Sequence, residues 1–392
     1  MKILLNLSVI TVLFITTSCL KEEDIDPIST PTNSYSFLYQ ENNCNVISGE
    51  INEDFTINSD QCWKIRGNTY VNSGVILTIE SGATITAESY SSPTYLSVRQ
   101  GGKIIAQGTS DQPIRFTHED LITESWSGIH INGFAQTNKN NGYASGYENT
   151  GDYGGNNNED NSGILKYIII EYAGQELEPG KKSNGLQLNG VGSNTLVDYV
   201  QIYNCKNDGL KINGGSVDVN HLVVTHIDQD CVDLEYGWIG TGSYWYIEQI
   251  EEIGSDEAIQ IDNDETFPEA IPRTNLNLSN ITVNGFGEES AVRVRSGARV
   301  DIQNLLIDNF DLGIEITGSH CNLSVMDYSV TFSNVSINNC SQNIQYTPSV
   351  AEPSGSLNGN DQIIAQWTAN STSNGCEAIY GSGWMNNWVK QF

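Results

Sequence analysis

Acidic, basic and amide side chains recur in one register of this sequence. Behind a small residue the pattern apolar, polar, apolar, polar returns seven times, beginning at Gly185, Gly209, Cys231, Ala258, Ala291, Gly313 and Asn343. Its first polar position reads Gln187, Lys211, Asp233, Gln260, Arg293, Glu315, Gln345, and its second reads Asn189, Asn213, Glu235, Asp262, Arg295, Thr317, Thr347. If the copies lie side by side as paired strands, about 5 Å apart, Glu235 stands next to Asp262 and Asp262 next to Arg295. Neighbouring carboxylates take up a proton, bind a cation or are neutralised by arginine. Asp230 and Asp233 add two acids on the same or the preceding turn, so this is the densest polar cluster in the array.

The elements that must position these groups are short strands. Alternation of apolar and polar residues marks a strand with one buried face. Gly209 follows Gly185 by 24 residues and Gly313 follows Ala291 by 22, with longer gaps elsewhere, which gives a repeat of roughly 22 residues carrying insertions. Strands this short bury nothing alone; stacked coils cover one another and create a continuous interior. A second phrase keeps the same beat upstream, starting at Tyr167, Tyr199, His221, Asn280, Asn304 and Asn334. Two strands per repeat are legible, with a less regular remainder. Asn204, His226, Asn309 and Asn339 occupy a further column, where Asn tolerates left-handed backbone and can bond its stacked copy. The fold class is all-β, a right-handed parallel β-helix with terminal caps; the spacing of a leucine-rich repeat is absent.

Composition sets limits. The chain has 392 residues, 37 glycines and a formal charge of −30, although only 17% of residues are charged. A scarcity of Lys and Arg excludes nucleic acid as a partner, since phosphate binding needs a basic surface. Acidity suits solubility or Ca²⁺ binding.

Residues 1–18 read as a signal peptide: Lys2, then a mostly apolar run. The run ends in Thr16-Thr17-Ser18-Cys19, which resembles a bacterial lipobox with Thr16 where Leu is usual, and implies lipidation at Cys19. Lys21, Glu22, Glu23 and Asp24 resemble the signal that sends some lipoproteins to the outer cell surface. The expected location is therefore the outer membrane, lipid-anchored and facing outward, with no other membrane contact. Residues 19–43 form an acidic tether, 44–346 the β-helix with an inserted loop at 134–161, and 347–392 a linker and C-terminal cap. In the inserted loop Tyr143, Tyr147 and Tyr153 suit sugar stacking, and Glu159 and Asp160 suit Ca²⁺.

Removing Cys19 from eight cysteines leaves an odd number, so at least one is free. Cys44 with Cys62 is the expected disulfide and Cys321 with Cys340 the second. The five histidines are scattered and structural.

The order Leu77-Thr78-Ile79-Glu80, Gly101 to Ala106, Pro113 to Thr117, Trp126 to Ile129 and Ile168 to Gly174 resembles bacterial surface proteins of the parallel β-helix, pectin-lyase-like superfamily. That resemblance implies the fold and no catalytic motif. Asn207-Asp208-Gly209 and Asp230-Cys231-Val232 resemble the acidic motifs of polygalacturonase-like hydrolases. Where those enzymes carry Gly-His-Gly, Ile253 to Glu257 stands instead.

Three readings follow. The leading one is non-catalytic binding of a polysaccharide or surface glycan by a monomer, through Lys211, Asp233, Glu235, Gln260, Asp262 and Arg293. The second is a polysaccharide-degrading enzyme, either a Ca²⁺-dependent lyase of pectate-lyase type with the metal on Glu235 and Asp262, or a hydrolase; its catalytic candidates are Asp208, Asp230, Asp233, Arg293 and Arg295. The third is a structural ladder in which arginines only neutralise acids.

Overall fold

A computed structural model describes residues 35–318, 320, 329–348 and 371–390. The polar columns lie on a sheet of parallel strands, one per coil: Tyr95–Val98, Ile129–Asn132, Leu186–Asn189, Leu210–Asn213, Val232–Glu235, Ile259–Asp262, Ser290–Arg295, Leu312–Gly318 and Gln342–Pro348. Between Leu186 and Ile314 the inward residues of this first sheet stack as Leu186, Leu210, Val232, Ile259, Val292 and Ile314, each fully buried. Each contributes roughly 1.5–3 kcal/mol through burial, and one coil supplies the cover for the next. The architecture is the right-handed parallel β-helix.

Each coil holds three strands, where two were legible. Long strands such as Leu196–Cys205 and Val219–Ile227 bend in the middle; the first half joins a second sheet and the last half a third. The bend falls on the first residue of the upstream phrase. Tyr167, Tyr199, His221, Tyr244, Asn280, Asn304 and Asn334 all adopt φ between 48° and 58°. Left-handed backbone is costly for tyrosine, and stacking offsets it. Ring centroids are 4.2 Å apart for Tyr167 and Tyr199, 4.1 Å for Tyr199 and His221, and 5.1 Å for His221 and Tyr244. Asparagines continue the column: Asn304 Nδ2 donates to Asn280 Oδ1 at 2.7 Å, and Asn334 Nδ2 to Asn304 Oδ1 at 3.2 Å.

The other asparagine column is left-handed as expected, at Asn204, His226, Asn309 and Asn339, and two of its amides turn to partners outside the column. Asn309 Nδ2 donates to the Gly285 carbonyl and Asn339 Nδ2 to Asp308.

Two boundaries shift. A strand already precedes Cys44: Leu38–Glu41 pairs antiparallel with Cys44–Ile51 and covers the edge of the first coil. At the other end residues 347–392 were expected to be a linker and cap; residues 371–390 run back along the third sheet, and 349–370 lie outside the described residues. Thr372 bonds Asn334, Cys376 bonds Thr282, and Lys390 bonds Gln201, which carries the tail across successive coils. Met385, Trp388 and Val389 pack there on Val223 and Tyr246.

Cys44 and Cys62 form a disulfide. Cys205, Cys231, Cys340 and Cys376 are free among the described residues, and Cys19 and Cys321 lie outside them. No helix among the described residues is long and apolar enough to cross a membrane.

Candidate functional site

The register places Gln187, Lys211, Asp233, Gln260, Arg293, Glu315 and Gln345 opposite one another on consecutive coils. At its centre the Lys211 ammonium meets three carboxylates. It bonds Asp233 Oδ2, lies 2.8 Å from Glu235 Oε1 and 3.7 Å from Asp208 Oδ2. Asp208 comes from the turn entering the Lys211 strand, whereas Asp233 and Glu235 come from the next strand. One oxygen from each of Asp208, Asp230 and Asp233 lies within 4.8 Å of the others.

Further along, Arg293 pairs with the buried Glu257 and, at 2.6 Å, with Glu315. Arg295 Nε bonds Asp262 Oδ2 at 2.6 Å.

An exposed polar sheet was the expectation, and the structure corrects it. Asp233 is 3% exposed, Asp262 1% and Gln260 9%. The cover is built from two insertions. After Asn132 the chain leaves the first sheet, and Thr137 and Asn138 bond the Tyr236 carbonyl three coils away. Asn138 Nδ2 also donates to Asn263 Oδ1 at 2.8 Å. Gly214 permits this path, because a Cβ there would stand 2.6 Å from that of Thr137. From the opposite side, before Leu186, Glu176–Glu178 and Lys181–Lys182 form a small hairpin. The two walls approach where the Lys181 ammonium sits 5.3 Å from the centre of the Tyr147 ring.

Between floor and walls lies a cavity of about 550 Å³. Lys139, Lys181, Lys182 and Lys211 line it together with Asp208, Glu235, Tyr147, Tyr153 and Tyr236. Lys139 lies 3.9 Å above the Tyr236 ring; neither it nor Lys181 makes an ion pair with another described residue.

Burial dominates the electrostatics. It pushes Asp208 up to about 7, against the pull of Lys211 and helped by Asp233. Glu235 is pushed up to about 7 by burial in the same field. Asp230 is raised well above the carboxylate range by burial and by Asp233 and Asp208. Asp262 reaches about 6, burial outweighing Arg295. Burial pulls Lys211 down, but Asp233, Glu235 and Asp208 outweigh it and hold it well above its ordinary value. Lys139 is lowered, chiefly by burial.

Ca²⁺ asks more of a donor set than these residues offer. It takes 6–8 oxygen ligands at roughly 2.3–2.6 Å. Glu235 and Asp262, the expected ligands, are committed to Lys211 and Arg295. The converging set Asp208, Asp230 and Asp233 already has the Lys211 ammonium on two of its members. A protein cation supplies the charge that a metal would bring, and this donor set does not fit Ca²⁺.

The structure thus brings Asp208, Asp230, Asp233, Lys211 and Glu235 together, and lays Gln260, Asp262, Arg293 and Arg295 on the adjoining coils. Of the loop residues singled out, Tyr147 and Tyr153 line the cavity and Tyr143 is exposed outside it. Asp160 is buried and accepts from Ser162. Lys139, Lys181, Lys182 and Tyr236 were missed. The signal was available: in a chain with 18 Lys and Arg, a Lys181-Lys182 pair and a lone Lys139 inside two irregular stretches stand out.

A family model described as a pectate-lyase-like β-helix domain matches residues 49–389. Among solved structures the chain is similar to the periplasmic alginate epimerase AlgG, at 12% identity, 80% of each chain covered and a TM-score of 0.40. It is also similar to the A-module of the mannuronan C-5 epimerase AlgE4 of Azotobacter vinelandii, at 10% identity, covering 79% of this chain and 90% of that one, with a TM-score of 0.22. No curated protein matches the chain.

Proposed function

The chain belongs to the pectate-lyase-like β-helix family, and from that premise we propose that it binds an acidic polysaccharide, without cutting it, in the cleft over Lys211. One observation carries the reading. The chain has a net charge of −30 and only 18 Lys and Arg, yet four of those cations line a single cavity. Lys139 and Lys181 rest on tyrosine faces and make no ion pair with a described residue. Cations without carboxylate partners, beside tyrosines and amides, suit a ligand with repeated carboxylates and sugar hydroxyls. The acidic exterior repels such a polymer, so contact is confined to the cleft.

The test is binding of purified protein to polygalacturonate, alginate and neutral glucans. Salt-sensitive binding to the acidic polymers is expected, weakened about tenfold or more in the Lys139→Gln, Lys181→Gln double variant. Equal affinity for neutral glucans would overturn the reading. Ca²⁺ or a chelator should leave binding unchanged.

A second reading rests on Asp208 and Glu235, which flank Lys211 and are both held near neutrality. Groups poised there suit proton transfer, as in a lyase. Inverting hydrolysis is a poorer match, because its carboxyl groups stand about 6.5–9.5 Å apart to admit water, whereas Asp208, Asp230 and Asp233 converge within 4.8 Å. Incubation with the same polymers decides: an unsaturated-uronate absorbance favours lyase, and new reducing ends without it favour hydrolase.

The same proposal includes lipid attachment at Cys19 and display on the outer membrane, which rest on the sequence of residues outside the described part. Incorporation of labelled fatty acid, abolished by Cys19→Ala, is the test.

A further inference from the structure

A second cavity, of about 590 Å³, adjoins the first. The two share Lys139, Asn140 and Tyr236, so these residues form a saddle between them. The far side carries Phe267 and Ile271, which are 66% and 81% exposed. The two side chains thus put apolar surface at the mouth of a cavity otherwise lined mainly by polar residues.

The saddle is built at a conformational cost. Tyr236 follows Glu235 at the corner leaving the first sheet, with φ of 55°. On the two preceding coils this corner is Gly190 and Gly214, at φ of 54° and 69°; on the two that follow it is Asn263 and Ser296. Glycine adopts that backbone freely; tyrosine does not. Here the tyrosine ring carries the Lys139 ammonium at 3.9 Å and sets it between the two cavities. The insertion reinforces the arrangement, since Thr137 and Asn138 bond the Tyr236 carbonyl.

We infer that the second cavity is a further sugar subsite: an acidic polysaccharide occupying the cleft over Lys211 continues across the Lys139–Tyr236 saddle and lays the apolar face of a later sugar ring on Phe267. This rests on the acidic-glycan reading above and adds to it that the site reads chain length. The lining includes one carboxylate, Asp264, which is buried and accepts the Thr266 and Phe267 amides; the other groups suit the ligand. Lys139 meets a carboxylate at the crossing, Asn140 and Thr266 offer hydrogen-bonding groups, and Phe267 offers a flat apolar surface.

The experiment measures affinity of the full chain for 1,4-linked oligouronates of two and of six units. Wild type should bind the six-unit oligomer about tenfold tighter or more. Phe267→Ala should weaken six-unit binding roughly 5- to 10-fold, the value of one ring contact, and leave two-unit binding unchanged. Phe267 is exposed, so the substitution does not threaten folding. Tyr236→Gly removes the saddle while installing the residue that the two preceding coils use, and should likewise reduce the length dependence. Parallel losses for both oligomers, or no loss for either, would overturn the second subsite while leaving the cleft intact. Absence of any oligouronate binding by wild type would overturn both readings.

Discussion

Two flanks of the same coil are covered, and they are covered differently. On the third sheet the outward column reads Ile169, Gln201, Val223, Tyr246, Thr282, Leu306, Ser336, and the C-terminal tail lies over it. Polar groups there are matched one by one: Gln201 with Tyr380 and Lys390, Thr282 with Cys376, Ser336 with Ser371. On the first sheet the covered column is charged. Burial raises the carboxyls of Asp208, Asp230, Glu235 and Asp262 around it, and Asp233 Oδ1 and Asp262 Oδ1 find no hydrogen-bond donor among the described residues. Neutral, satisfied burial stabilises. Charged, partly satisfied burial costs stability and is retained where it serves a ligand.

If that contrast is right, the largest stability loss belongs to the tail. Trp388 is 1% exposed and packs with Val223, Tyr246 and Met385. Trp388→Ala should cost about 3–5 kcal/mol, read as a lowered denaturant midpoint, with polyuronate affinity unchanged under native conditions. Loss of binding without loss of stability would reverse the roles of the two flanks.

Lys211→Met should come next, at about 3 kcal/mol at pH 8, because it strands buried carboxylates. Binding should be lost as well. The stability deficit should shrink at pH 5, where Asp208 and Glu235 take up protons and no longer need a counterion. A deficit independent of pH would mean that Lys211 acts by packing alone.

Wild-type protein should show a smaller effect of the same origin. Asp208 and Glu235 are raised to about 7 in the folded chain, from roughly 4 when unfolded. Between those values the native state holds protons that the unfolded state has released, so stability falls as pH rises. Their contribution is fully present below about pH 4 and lost through pH 7. The melting temperature should therefore decline by several degrees from pH 5 to pH 8, and the Asp208→Asn, Glu235→Gln double variant should flatten the slope.

The contrast also explains what was legible in the sequence. Lateral register could be read without coordinates, from Gln187 through Lys211, Asp233, Gln260, Arg293 and Glu315 to Gln345, because alternation and a repeating coil leave one way to align the strands. Burial of that column could not. It depends on where residues 134–161 and 176–182 fold, and neither carries a periodicity. The second sheet was hidden for a related reason. It shares long strands with the third, and the bend at Tyr199 or Asn304 looks like the start of a phrase. The tail's path was equally hidden, since Trp384 and Trp388 announce burial without naming a surface.

The smallest effect tests the corner between the second and third sheets, where both flanks meet a common cost. Asn304 is left-handed, with φ of 58°. Its amide donates to Asn280 and to the Gly375 carbonyl, and its oxygen accepts from Asn334 and Ser373. Asn304→Gly keeps the backbone relaxed and removes the ladder, so it should cost about 1 kcal/mol. Asn304→Ala removes the same bonds and adds left-handed strain, about 1 kcal/mol more. The Ala-minus-Gly difference therefore measures the backbone alone. At Tyr236 the same strain is borne with glycine standing at the matching corner of the two preceding coils, and Tyr236→Gly should raise the melting temperature slightly while glycan affinity falls. A stabilising change that removes binding is the signature of a corner shaped for a ligand; a destabilising one would return Tyr236 to the class of Asn304, as part of the scaffold.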